Sequence, residues 1–275
     1  MISETGNDRV GDLIQKFMEE NGVCADLLSR YEHGQSAIAL AFLNKHSDAE
    51  YQFYKDYPHQ RLQMPVPEMT GEDLFLFGSF YALNPGIRPR MKVFLEKARE
   101  AEAVVLYDPN FRSTHLDKRD ELLDLIVENI TYATLVRASD EDLINIFGVK
   151  NADEAWEVVR PHCNILIYTA NAGGVFLRTG QLKLNLKVDF VKPVSTIGAG
   201  DTFNAGILYG LYRMGCTRDQ IGLLEKSHWE QILHLAIEFS REVCLSYDNY
   251  LPRDYAQQII ERTRLWKKEN WADHP

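Results

Sequence analysis

The chain has 275 residues, 45% of them hydrophobic, with 30 Lys and Arg against 40 Asp and Glu and a formal net charge of −10. That length carries a core of ordinary density and reads as one domain, while the acid excess argues against a protein that tracks nucleic-acid phosphates. The opening MISETGNDRVGD lacks the charged-then-apolar pattern of a signal peptide, and no apolar run reaches the roughly 18 residues of a membrane span, so the expected location is cytoplasmic. Cys24, Cys163, Cys216 and Cys244 lie far apart with no Cys-x-x-Cys pair, and read as buried thiols of a reducing compartment.

In chain order, the first strand signal is a β-hairpin. Ile38, Leu40 and Phe42 alternate onto one face of a strand from Ser36 to Leu43, and the polar turn Asn44 to Asp48 leads into a second strand, Tyr51 to Tyr54. Such a hairpin, set apart from the main layer, is either a lid or an edge ornament. Leu74 to Phe77 predicts a buried strand, followed by an amphipathic helix bearing Met91, Val93, Phe94 and Ala98. Ala103 to Tyr107 is the next strand, followed by a helix around Leu122, Leu123, Leu125 and Ile126. Thr134 to Val136 and Ile165 to Tyr168 supply two more strands with helices between them. Continuous apolar strands alternating with helices predict an α/β fold: a doubly wound, mostly parallel sheet covered on both faces. A helix from about Asp201 puts Phe203, Ile207, Leu211 and Met214 on one stripe and ends at Gly215. The segment from Leu251 to Trp271 predicts a terminal packing helix with Tyr255, Ile259 and Ile260 inward. The chain reads as one domain over 1–275 with a partial β lid at about 34–56.

Ligands of open parallel sheets bind at the carboxyl ends of the strands, where helix N-termini gather. The polar loops of this sequence fall there. In VSTIGAGDTFNAG, residues 194–206, the small residues Gly198, Ala199 and Gly200 allow a sharp turn and a close approach to a ligand. The helix behind them offers unpaired amides and a partial positive charge. Asp201 is either an N-cap, worth about 1 kcal/mol, or a reacting group; three small residues are more clearance than a cap requires. Gly206 and Gly210 predict a closely packed helix neighbour. Thr169 to Gly174 forms a small polar loop suited to phosphate or ribose. Asp108-Pro109-Asn110-Phe111-Arg112 offers two polar side chains and a guanidinium able to fork onto phosphate or sugar oxygens. Ser139-Asp140-Glu141-Asp142 is an acidic helix start that either holds a magnesium shell or caps its helix. No Gly-x-Gly-x-x-Gly follows a first strand and no Gly-x-x-x-x-Gly-Lys-Ser/Thr loop is present, which sets aside a dinucleotide oxidoreductase and a P-loop kinase.

These motifs resemble the ribokinase/fructokinase (PfkB) carbohydrate kinases, over essentially the whole chain and in the right order. The carriers are Ser195-Thr196-Ile197-Gly198-Ala199-Gly200-Asp201-Thr202-Phe203, the Asp108 to Arg112 turn, the Ser139 to Asp142 helix start, the Thr169 to Gly174 loop and Gly6-Asn7-Asp8-Arg9-Val10-Gly11, with Asn21-Gly22-Val23 suiting the segment before the lid. The family pattern has Asp at 195, Asn at 139, Glu at 142 and Gly at 171, where this chain has Ser195, Ser139, Asp142 and Asn171. It also has an opening strand, two lid strands and a Gly-Gly-x-x-x-Asn motif that would precede this sequence.

The resemblance implies a ribokinase-like fold and transfer of the γ-phosphoryl group of ATP to a sugar hydroxyl. Asp201 would be the general base, and the amides of Gly198, Ala199, Gly200 and Asp201 the anion hole. Asn110, Ser139, Thr169, Asn171 and Gly174 would border the nucleotide. Arg112, with Tyr54 and Lys55 in the hairpin, would contact the substrate, and the hairpin would be the lid over the sugar. Mg2+ is expected with the nucleotide, on Glu141 or Asp142, and a monovalent cation beside it. Phe77-Gly78-Ser79 and the Asp108 to Arg112 turn favour fructose or a related ketose or ketoacid. The alternative is a catalytically impaired relative that binds nucleotide or a protein partner without turnover. Expected partners are a small-molecule sugar and a second copy of the chain in a homodimer, with no nucleic acid and no membrane.

Overall fold

The computed structural model describes residues 1–43 and 49–266. The predicted turn Asn44 to Asp48 and the last residues of the predicted C-terminal helix lie outside that range. The chain resolves into two compact units, Met69–Leu83 with Ala98–Pro275, and Met1–Glu68 with Asn84–Lys97.

The larger unit is built on a six-stranded sheet. Its strands are β5 (Leu74–Gly78), β6 (Val104–Asp108), β7 (Leu135–Ser139), β8 (Ile165–Thr169), β9 (Val175–Thr179) and β10 (Lys183–Leu186), in the spatial order β10-β9-β8-β7-β6-β5. The pairings among β5, β6, β7 and β8 are parallel, whereas β9 and β10 are antiparallel additions. The parallel strands are the predicted apolar runs. They are linked by α3 (Arg119–Tyr132), α4 (Asp140–Phe147) and α5 (Ala152–Val159), as parallel pairs require a crossover between them.

One face of the sheet buries Val104, Leu106, Leu135, Ile165, Ile167, Val175 and Leu177. Against it pack Phe203, Ile207, Leu211 and Met214 of α6 (Ala199–Met214), Ile221 of α7 (Arg218–Ile221) and Trp229, Ile232, Leu233 and Ala236 of α8 (Lys226–Val243). Alternation sends Val105 and Tyr107 to the opposite face. There Asn129 of α3 donates from Nδ2 to the Tyr107 hydroxyl at 3.3 Å. Both faces are therefore covered, as the continuous apolar runs predict.

The predicted close contact of α6 is with α8. A Cβ on Gly206 would stand 2.5 Å from Ala236 Cα, and one on Gly210 would stand 3.0 Å from Ile232 Cγ1. The helix ends at Gly215, whose φ of 64° is left-handed. Four details differ from the sequence reading. Only Phe77 is buried in β5 and Leu76 is 43% exposed, because β5 is an edge strand of the sheet. In α2 (Arg88–Glu100), Met91, Phe94 and Ala98 are buried but Val93 is exposed. In α9 (Arg253–Arg262), Ile259 is buried, Tyr255 half-buried and Ile260 exposed. Of the cysteines, Cys163 and Cys216 are buried, Cys244 is half-buried and Cys24 is exposed.

The smaller unit holds β1 (Ser3–Gly6), α1 (Arg9–Glu20) and β2 (Leu28–Tyr31), with β1 and β2 parallel, and the antiparallel hairpin β3 (Gln35–Leu43) and β4 (Ala49–Asp56). The hairpin is the predicted one; Ile38, Leu40, Phe42, Phe53 and Tyr54 are all exposed on it. Asp8 organises the unit. Its carboxylate caps α1 by accepting from the Gly11 amide at 2.8 Å, and accepts from the Ser36 amide and hydroxyl, each at 2.7 Å. A second anchor is the buried ion pair of Glu4 with Arg61, where Glu4 also accepts from the Leu62 amide at 2.8 Å.

Candidate active site

The parallel strands finish at the same end of the sheet, with β7 and β8 running two residues past β5 and β6. Gly78 is paired with Asp108, and Ser139 with Thr169, so the loops that follow β5, β6, β7 and β8 emerge from one edge of the sheet. Gly78 has to be glycine for β5 to finish there, since a Cβ would sit 1.9 Å from the Asp108 carbonyl oxygen. The next amide, Ser79, donates to that same carbonyl at 2.7 Å.

At this edge α6 begins. Gly198 is its N-cap, at φ 81°, and a Cβ there would lie 3.0 Å from the Asn249 carbonyl oxygen. Only glycine takes that conformation without strain. The Gly198 carbonyl accepts from the amide and hydroxyl of Thr202, at 2.9 and 2.8 Å, which fixes the first turn. A helix start leaves its first amides unpaired. Here the Ala199 amide donates to the Thr196 carbonyl at 3.2 Å, so it drops out of the expected donor set. The amides of Gly200 and Asp201 make no hydrogen bond among the described residues.

Asp201 is the third residue of the helix rather than its cap, and its carboxylate makes no capping bond. It is exposed at the surface, while the atoms packed around it are still enough to desolvate the carboxyl. That burial raises its pKa above the ordinary carboxylate value. The negative charge of Asp108 raises it further, and Arg137 and Arg112 pull it back.

Behind this carboxylate lies a network that the motif reading missed. Asp108 Oδ2 accepts from Arg137 Nη1 at 3.0 Å and from Asn204 Nδ2 at 2.6 Å. Arg137 Nη2 donates to Thr169 Oγ1 at 2.9 Å. The sequence held two signals for it: Arg137 is a lone cation in the apolar strand L-V-R-A-S, and Asn204 a lone amide on the buried stripe of α6.

The remaining expected residues divide by what already occupies them. Ser139 and Asp142 form a capping box at the start of α4, with Asp142 Oδ2 accepting from the Ser139 amide at 2.8 Å and hydroxyl at 2.6 Å. Of the two roles open for this helix start, the geometry gives Asp142 the cap, and burial first, then the Asp108 charge, raises its pKa. Glu141 is exposed and accepts from Arg112 Nη1 at 3.1 Å. Among the described residues no group of three or more His, Cys, Asp and Glu side chains is arranged to hold a metal ion. Mg2+ carried by nucleotide phosphates needs only one or two carboxylates, and Glu141 is the accessible one. Thr169 is buried under Arg137, and Gly174, at φ 111°, lets the chain turn into β9 past the Leu186 carbonyl. Asn171 is exposed and Asn110 half-buried; both have positive φ, 45° and 42°. Ser195 is buried, and its hydroxyl accepts from the Ile197 amide at 3.2 Å. In the smaller unit Tyr54 is exposed, and Lys55 Nζ stands 4.4 Å over the Phe53 ring.

The comparisons with known proteins agree with this architecture. The chain is 24% identical over 241 residues to a probable fructokinase-4 of Arabidopsis thaliana, covering 86% of this chain and 72% of that protein. It is 27% identical over 216 residues to the aminoimidazole riboside kinase of Salmonella typhimurium, covering 77% and 67%. Among solved structures, aminoimidazole riboside kinase from Salmonella enterica superposes with a TM-score of 0.78 at 22% identity, over 94% of this chain and 84% of that one. A double mutant of the Vibrio cholerae O395 fructokinase, solved with fructose, ADP and a potassium ion, gives 0.78 at 19% identity, over 94% and 83%. No helix among the described residues is long and apolar enough to cross a membrane. The model of the pfkB family carbohydrate kinases matches residues 1–252, and the chain belongs to that family.

Proposed function

We propose that the protein transfers the γ-phosphoryl group of ATP to a hydroxyl of a ketose or a related sugar, with Asp201 as the general base. The observation that carries this is the Asp201 carboxylate, exposed, uncommitted to any cap, and set in the same first helical turn as the unpaired amides of Gly200 and Asp201. Asp201 takes the proton of the sugar hydroxyl, and that oxygen forms its bond to phosphorus as the bond from phosphorus to the leaving ADP oxygen breaks. The two amides and the positive helix end hold the transferring group. Because burial and Asp108 raise the Asp201 pKa above the ordinary carboxylate value, it is a stronger proton acceptor than an unperturbed aspartate.

Arg112 supports the same reading. Its pairing with Glu141 is a surface ion pair, both side chains being about half exposed, and such pairs contribute only about 0–1 kcal/mol. Arg112 can therefore leave Glu141 for a phosphate oxygen at little cost, which would free Glu141 to hold Mg2+. When bound, the metal supplies charge neutralisation at the phosphates. Asn171, exposed in the turn after β8, and Asn110, in the turn after β6, are the proposed contacts for the nucleotide.

The test is a coupled assay of ADP release with fructose, other ketoses, aldoses and aminoimidazole riboside, alongside calorimetric titration with MgATP. Asp201→Asn should lower turnover by roughly 10²- to 10⁴-fold, the usual contribution of a general base, and leave MgATP affinity unchanged. A variant with wild-type turnover removes Asp201 from the role. MgATP binding with no turnover on any sugar makes the chain a nucleotide-binding relative rather than a kinase.

A further inference from the structure

Arg137 has no role in the motif reading, yet it links the strand ends that carry the polar loops to the start of α6. It sits on β7, and its guanidinium spans the strand ends: Nη1 reaches Asp108 at the end of β6 at 3.0 Å, and Nη2 reaches Thr169 at the end of β8 at 2.9 Å. On the helix side, a Cβ on Gly200 would lie 3.1 Å from Nη1, and the guanidinium carbon stands 5.4 Å from the centre of the Phe203 ring. Part of the clearance in Gly198-Ala199-Gly200 therefore serves a cation of the protein itself. The same Asp108 oxygen is held by Asn204, three residues after Asp201 on α6.

Packing alone is a poor account of this arrangement. Arg137 and Asp108 side chains are both only 11% exposed, and a buried ion pair is often no more stabilising than apolar residues of the same volume. What the pair does achieve is placement. It joins the ends of β6, β7 and β8, lies against Gly200 in the first turn of α6, takes a hydrogen bond from Asn204 in the next turn, and puts one fixed cation among the charges acting on Asp201.

We infer that Arg137 is a positioning residue for phosphoryl transfer: it locks the first turn of α6 onto the strand ends and holds a permanent positive charge beside the carboxylate that takes the proton. This rests on the kinase reading. The charged groups acting on Asp201 are Asp108 from β6, Arg137 from β7 and Arg112 from the loop after β6. Removing Arg137 leaves only Arg112 to oppose burial and Asp108, so Asp201 must hold its proton to higher pH.

The experiment compares Arg137→Gln, which removes the charge, with Arg137→Lys, which keeps the charge but loses the fork. Each is read by kcat and KM for the active sugar, by the pH profile of kcat/KM, and by 13C-carboxyl NMR titration of Asp201, its signal identified by its loss in Asp201→Asn. R137Q is expected to lower kcat by roughly 10- to 100-fold, the scale of a small misplacement of reacting groups, with KM little changed. It should also move both the acid limb and the Asp201 titration upward in pH. R137K is expected to leave the titration at its wild-type position while kcat stays below wild type. If R137Q does not fold, R137K carries the test alone, and a wild-type kcat in R137K overturns the positioning role of the guanidinium fork. A folded R137Q with the wild-type Asp201 titration overturns the inference. The NMR readout needs no turnover, so an inactive wild type would end the kinase reading while the titration still decides whether the Arg137 charge acts on Asp201.

Discussion

Gly198 joins folding and chemistry at one position. Its φ of 81° and the Asn249 carbonyl 3.0 Å from any Cβ make alanine strained there, at about 1–2 kcal/mol for a left-handed non-glycine residue. Gly198→Ala is expected to lower the unfolding free energy by that amount in urea titration, and to reduce kcat by tilting the amides of Gly200 and Asp201. Ser139 and Glu141 separate capping from metal binding on α4. Ser139→Ala removes the cap and should cost about 1 kcal/mol with the Mg2+ requirement of the reaction unchanged. Glu141→Gln should leave stability alone and raise the Mg2+ concentration needed for half-maximal rate. At this scale the sequence showed which residues gather at the strand ends but not which were already engaged. The spacing of Ser139 and Asp142 offered the capping box as one of two readings, whereas the Ala199 donation to Thr196 depends on backbone positions that no residue spacing encodes.

The contact of α6 with α8 sets where Asp201 sits, because it fixes the helix against the sheet. Gly206 and Gly210 look alike in sequence and differ in what they face. At Gly206 a Cβ meets the Ala236 backbone at 2.5 Å, whereas at Gly210 it meets the Ile232 side chain at 3.0 Å. A backbone cannot step aside, but a side chain can shift by a few tenths of an ångström. Gly206→Ala should therefore lose about 1–3 kcal/mol from overpacking, outweighing the gain of about 1 kcal/mol in helix propensity. Gly210→Ala should be near neutral, and thermal unfolding of the two variants side by side checks the contrast. The four parallel strands were legible because strands buried on both faces read as unbroken apolar runs. The additions β9 and β10 were not, because Arg178 and Lys183 interrupt their apolar pattern. Arg178 is buried because Asp153 and Asn185, each at 2.8 Å, and the carbonyls of Leu177 and Leu184 receive it. The edge position of β5 was equally hidden, since Leu74 to Phe77 is as apolar as a central strand and only the strand order exposes Leu76.

Over the whole molecule, stability against acid is a sum of carboxylates with opposite signs. Asp8 is held down to about 2 by the amides of Ser36 and Gly11 and by the Ser36 hydroxyl. A carboxyl whose folded pKa is depressed stabilises the fold above its unfolded value, near 3.8, and that contribution is lost as the pH falls through about 2. Asp142 and Asp201 are raised by burial and by Asp108, so their ionised forms cost stability at neutral pH, and protonation on the acid side relieves that cost. Asp8 can be isolated from the other two because its partners all belong to the smaller unit. Asp8→Ala should lower the urea midpoint by a constant amount from pH 7 down to about 4. The gap to wild type should then close as the pH approaches 2, where wild-type Asp8 is itself protonating. A gap that stays open at pH 2 would mean that the Asp8 side chain acts through packing, and that the charge drawing α1 and β3 together is not what holds the smaller unit in acid.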